Sequence, residues 1–99
     1  MMKYGFRKDF NWETRLDLKT DIDFGTGVVT VSTVDLGFNQ NLLGGRPIYY
    51  ETAVFGDIDW ESIDFPQGES TVVERYHTEE EAVEGHEQYV EMLRELANK

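Results

Sequence analysis

Cysteine is absent, and basic residues are scarce: nine Lys and Arg stand against twenty Asp and Glu. Without cysteine there is no disulfide framework and no thiolate metal site, a composition compatible with a reducing compartment. The shortage of basic groups leaves a formal charge of -11. That charge repels nucleic acid and anionic membranes and suits a basic protein surface, so direct nucleic-acid binding is not expected. The same charge also serves solubility. No run approaches the roughly eighteen apolar residues of a membrane span. Residues 1–9 lack the apolar core of a signal peptide, and the expected compartment is the cytoplasm.

Catalytic signatures are equally scarce. Gly25-Thr26-Gly27 lacks the third glycine of a dinucleotide loop, and Gly44-Gly45 precedes a proline-containing strand instead of a helix. Ser32, Ser62 and Ser70 have no evident histidine partner. Asp57-x-Asp59-x-Glu61 opens like a calcium loop, but it has no sixth-position glycine and has Gly68 where the closing glutamate would stand. His77 and His86 are the only imidazoles. They would make a metal site with Glu51 or Glu81 only if the last strand and the helix brought them together. His86 falls on an apolar face, so a hydrogen-bonded core histidine is the expected state. No enzyme activity, metal or cofactor is expected.

What is present is the pattern of one α+β domain over residues 1–99, with 39% hydrophobic and 13% aromatic residues to supply its core. Residues 1–12 form a candidate N-terminal arm, 13–77 a four-stranded, mainly antiparallel sheet, and 78–97 a C-terminal helix packed on one face. Period-2 alternation marks a strand at 14–24, β-branched and aromatic runs bounded by Gly25, Gly27, Gly37, Gly44, Gly45, Pro47 and Gly56 mark strands at 28–36 and 48–55, and a fourth strand is expected at 71–77. Strands two and three are wholly polar on neither face. That predicts a sheet centre covered by the helix on one side and by the arm or a second subunit on the other, making a homodimer a candidate state. Thr78-x-x-Glu81 predicts a capping box. Ala82, Val83, His86, Tyr89, Val90, Leu93 and Leu96 or Ala97 make the apolar stripe of a helix. Gly85 inside that helix predicts a close backbone approach.

Val31-Ser32-Thr33-Val34-x-Leu36-Gly37, then Gly45-x-Pro47-x-x-Tyr50-Glu51-Thr52-x-Val54-Phe55-Gly56, then Arg75-Tyr76-x-Thr78-x-Glu80-Glu81-Ala82-x-x-Gly85-His86, resembles a widespread set of small uncharacterised phage and prophage proteins. The resemblance spans roughly residues 28–93. It implies a mobile-element origin and a host bacterial cytoplasm, and no reaction. Where that family often has an Asp-His pair after the Leu-Gly of strand two, this chain has Asn39 and Gln40.

Two candidate contact surfaces follow. The acidic segment Asp57, Asp59, Trp60, Glu61, Asp64 and Phe65, read as extended, would space its carboxylates by about 6.6 Å, with Trp60, Ile63 and Phe65 as apolar anchors. Glu80, Glu84, Glu87, Glu91 and Glu95 give a second acidic row on the outer face of the helix. Together they suit a basic host protein, which the chain would inhibit as a nucleic-acid mimic in an anti-CRISPR or anti-restriction manner. The alternatives are a small-ligand binder with a pocket between Asn39, Gln40, Asn41, Arg46 and His86, and a structural homo-oligomer.

Overall fold

β-branched and aromatic residues at alternate positions favour strands that bury one face, and the chain builds them in sequence order. The computed structural model describes residues 7–63, 65 and 71–99. Strands β1 (Asp17–Asp23), β2 (Val28–Asp35), β3 (Tyr50–Gly56) and β4 (Val72–Tyr76) form one antiparallel sheet of order β1-β2-β3-β4. Helix α1 (Glu79–Ala97) crosses one face and touches all four strands. This is the expected α+β architecture. No helix among the described residues is long and apolar enough to cross a membrane.

Sheet parity sorts the core. Ile22 of β1, Val29 and Val31 of β2 and Val54 of β3 face the helix, where they meet Tyr89, Val90 and Leu93 of α1 and Phe65 from the connection to β4. A smaller cluster of Tyr50, Tyr76 and Ala82 lies beneath the first turns of α1. Val73 is the extra residue of a bulge, because Thr52 pairs with Glu74 while Ala53 pairs with Val72. The bulge lets consecutive residues serve the helix side: Val73 packs against the core and Glu74 accepts a 3.0 Å hydrogen bond from Tyr89 Oη. Burial, then the Glu74 bond, push the Tyr89 phenol up to about 12.

Thr78 caps α1 as expected. Its hydroxyl accepts from the Glu81 N–H at 3.2 Å, and Glu81 Oε1 accepts from the N–H of Thr78 at 3.2 Å and of His77 at 3.0 Å. Those backbone donors, that of His77 first, hold the Glu81 carboxyl below the usual carboxylate range. Such a cap contributes about 1 kcal/mol to the helix.

The first strand begins at Asp17, three residues later than the alternation predicts, because residues 11–15 turn. Asn11 Oδ1 accepts from the Glu13 N–H at 2.8 Å, and the Arg15 guanidinium is drawn to the Asp35 carbonyl at 3.4 Å. Strand three likewise starts at Tyr50 instead of Ile48. Among the described residues of the arm, 7–12, the chain runs across the end of the sheet. Its Arg7 stacks 4.7 Å from the Tyr49 ring centre and binds the Asp35 carboxylate through both terminal nitrogens, at 3.2 and 2.5 Å. Asp35 is 3% exposed and also accepts from the Gly37 N–H. The Arg7 guanidinium pKa is raised, chiefly by the bond to Asp35. At Gly37, with φ +78°, a Cβ would fall 2.6 Å from the Phe10 ring, so glycine there seats the arm across the end of the sheet. On the face away from the helix, Val28, Phe55 and Val72 are exposed.

Candidate functional site

A connected row of buried polar groups lies beneath the helix. His86, 5% exposed, places Nε2 2.9 Å from Thr20 Oγ1 of β1 and Nδ1 2.8 Å from Thr33 Oγ1 of β2. Thr33 Oγ1 shares a 2.6 Å hydrogen bond with Thr52 Oγ1 of β3, which lies 2.9 Å from Tyr76 Oη of β4. One residue from each strand therefore joins a single row crossing the sheet between its two apolar clusters. A neutral imidazole has one donor and one acceptor, and the hydroxyls rotate to complete the row in either direction. Burial lowers the His86 pKa, partly offset by nearby Glu87. Burial also raises that of Tyr76, against the opposing bond to Thr52. His86 is the bonded core histidine that its place on the apolar face predicts.

Gly85 makes this row possible. A Cβ there would lie 2.5 Å from Cε1 and Cζ of the Tyr76 ring. The sequence predicts a close approach at Gly85, and the approaching group is the Tyr76 phenol, not backbone.

The row opens at one end. Between β1 and α1 runs a groove of about 620 Å³, with Leu18, Thr20, Val83, His86 and Val90 in its walls. Lys19, Glu87, Glu91 and Arg94 stand at its rim. The expected pocket between residues 39–46 and the helix is therefore displaced: His86 lines a groove, but the loop does not reach it. Asn39 and Asn41 are used internally instead. Asn39 Oδ1 accepts from the N–H groups of Asn41 at 2.8 Å and Ile48 at 3.0 Å, and Asn41 bonds the Leu43 N–H and the Arg46 carbonyl. Gln40 turns inward, its amide nitrogen buried. Arg46 is exposed, and its charge helps lower the Glu81 pKa. His77 Nδ1, 2.8 Å from the Pro47 carbonyl, ties the loop to the start of α1.

This polar bracing holds up two apolar side chains. Leu42 is 90% and Leu43 99% exposed. The surrounding stretch, residues 36–50, carries no Asp or Glu in a chain that has twenty. Sequence reasoning missed the pair; an Asn-Leu-Leu-Gly-Gly run with no periodic apolar neighbours was the available signal.

The acidic segment departs from its expected form. Asp59 caps a 3-10 turn over Trp60–Ser62, its Oδ1 accepting from the Glu61 N–H at 3.2 Å. Asp57, Asp59 and Glu61 are exposed but do not form an extended row. Phe65 is 5% exposed, its ring 6.3 Å from Tyr89, and Trp60 and Ile63 pack partly buried on the same core. These aromatics hold the loop down and do not await a partner as anchors. Asp64 lies outside the described residues. On the helix the expectation holds: Glu80, Glu84, Glu87, Glu91 and Glu95 are exposed. The ion pairs among the described residues join Arg7 to Asp9 and Asp35, Arg15 to Asp17, and Arg75 to Glu51, so none engages a helix glutamate.

His77 and His86 have separate partners, and no group of three metal-binding side chains occurs among the described residues. Comparison with protein-family models, curated proteins and solved structures yields no match.

Proposed function

We propose that this chain is a non-enzymatic protein-binding domain, a small acidic accessory protein of phage or mobile-element origin that inhibits a basic host protein of defence or nucleic-acid metabolism. The observation that carries the binding reading is the Leu42–Leu43 pair, 90% and 99% exposed on a loop braced by Asn39 and Asn41. A loop ordered by its own polar side chains offers apolar area at a low entropy cost, the usual property of an interface anchor. The partner's sign follows from the unpaired glutamates of α1. Along one side of a helix, residues four apart rise by about 6 Å, so Glu87, Glu91 and Glu95 supply the regular carboxylate row that the acidic segment does not.

Capture from a host lysate at low and high salt tests the reading. Replacing Leu42 and Leu43 by Asp is expected to remove capture at both salts. Glu84→Gln, Glu87→Gln and Glu91→Gln together should weaken it mainly at low salt, where charge attraction is least screened. Capture that ignores both sets of changes would overturn the proposal.

A further inference from the structure

The protein-binding reading leaves open how a partner chain sits on the molecule, and β1 offers an answer. It is an edge strand in the order β1-β2-β3-β4. The Leu16 carbonyl accepts from the Asp35 N–H at 3.0 Å, and the Phe24 N–H donates to the Gly27 carbonyl at 2.9 Å. Even-numbered positions thus hold the ladder to β2. Because antiparallel residues alternate between inward and outward bonding, Asp17, Lys19, Asp21 and Asp23 direct their backbone groups to the open side.

The ground beside that edge is shaped for alternate side chains. On the helix side lies the 620 Å³ groove, apolar at Leu18, Val83 and Val90, with Lys19, Glu87, Glu91 and Arg94 giving its rim no net charge. On the opposite face, Asp17, Asp21 and Asp23 outnumber Lys19, and all four are exposed, with Arg15 paired to Asp17 at 3.8 Å. Asp21 accepts from Thr30 Oγ1 and Asp23 from the Gly25 N–H through one oxygen each, leaving the second oxygen of each carboxylate for a partner. Carboxylates on an edge strand turn away neutral and acidic strands. They favour one that carries cations at every second position.

We propose that β1 and the adjoining groove accept an extended segment of alternating basic and apolar residues from a partner protein, added as a fifth strand. This proposal rests on the protein-binding reading and names its docking mode: backbone bonds to Asp17, Lys19 and Asp21, apolar side chains in the groove, and Lys or Arg side chains over the Asp face.

The probe is an acetylated, amidated (Lys-Val)4 peptide with the full-length chain, and binding is followed by amide exchange and fluorescence anisotropy. The amides of Asp17, Lys19 and Asp21 are expected to exchange at least about tenfold more slowly in the complex, since strand addition covers them. A (Glu-Val)4 peptide should not bind. Two further peptides decide the geometry, one N-methylated at every lysine and one at every valine. Strand addition uses the amides of one alternating set only, so one of these loses binding and the other keeps it. Equal binding by both, loss by both, or unchanged exchange at β1 overturns the strand. If lysate capture through Leu42 and Leu43 persists in that case, the protein-binding reading stands without it. If capture fails while the N-methyl difference holds, the docking groove stands and the reading of Leu42 and Leu43 falls.

Discussion

Thr33 sits at the middle of the buried row, and removing its hydroxyl while keeping its shape isolates what the row contributes. Thr33→Val deletes two hydrogen bonds, to His86 Nδ1 and to Thr52 Oγ1, at a side chain with no exposed surface. Each such bond contributes about 1 kcal/mol net, and a buried imidazole nitrogen left without a partner costs about 1–3 kcal/mol more. The added methyl recovers at most about 0.8 kcal/mol. The expected loss is about 2–4 kcal/mol, a sizeable part of the roughly 5–15 kcal/mol that holds a domain together. At about 4–8 °C per kcal/mol for a domain of this size, the melting temperature should fall by roughly 10–30 °C. Urea unfolding at neutral pH measures it, with Thr33→Ser as the control. Serine keeps the hydroxyl and gives up a methyl, so its loss should stay near 1 kcal/mol. Should the serine variant be as unstable as the valine one, the methyl packing would be what matters and the account of the row would fail.

Acidification tests the same row from the other end. The His86 pKa is lowered in the fold, so below the unfolded value near 6.5 the unfolded chain takes up a proton that the native chain does not. Stability is thus fully present above about pH 6.5 and falls as pH drops from there through the native His86 pKa, with a slope of at most about 1.4 kcal/mol per pH unit. The difference between the wild type and His86→Gln in urea midpoints from pH 7.5 to 5.5 reports this histidine alone. Gly85→Ala sets helix propensity, a gain of about 1 kcal/mol, against collision with the Tyr76 ring. Net destabilisation of about 1–2 kcal/mol is expected, becoming stabilisation when Tyr76 is already Ala, and thermal melts of the four proteins of that cycle check the sign.

How far the sequence reveals this molecule depends on whether each feature is local. The capping box of Thr78 and Glu81 and the three-and-four spacing of the helix stripe are decided within a few residues, and both occur where the pattern puts them. The start of β1 is not local. Alternation continues back through Leu16, but Arg7 and Arg15 both reach Asp35, and that bond across the sheet end turns the chain before Asp17. Asp57 to Glu61 misleads for a different reason. Acid and apolar residues alternate there as in a strand, yet Asp59 followed three residues later by Ser62 is also a turn signature, and the cap wins: Ser62 Oγ donates to the Asp59 carbonyl at 2.7 Å. The polar row stands between these cases. Parity places Thr20, Thr33 and Thr52 on the inner faces of three strands and His86 on the inner face of the helix. Only the register, which pairs Thr33 with Thr52, makes them one chain.

The two unusual surface features, a charge of -11 and a pair of bare leucines, explain one another better than either explains itself. Exposed adjacent leucines favour association with any apolar surface, including another copy's. Two copies that each carry a large charge of the same sign repel over a Debye length of about 8 Å at physiological salt, long enough to keep the tips apart. The carboxylates of α1 then have work to do even away from a basic partner: they keep the tip available. Glu84→Gln, Glu87→Gln, Glu91→Gln and Glu95→Gln together reduce the negative charge from -11 to -7, four carboxylates being removed. Static light scattering should show self-association rising in that variant, rising further with salt, and returning to the wild-type level when Leu42 and Leu43 are also replaced by Asp. Association that persists after the leucines are gone would locate the sticky surface elsewhere, on the open sheet face of Val28 and Phe55, and would break the link between the acidic helix and the tip.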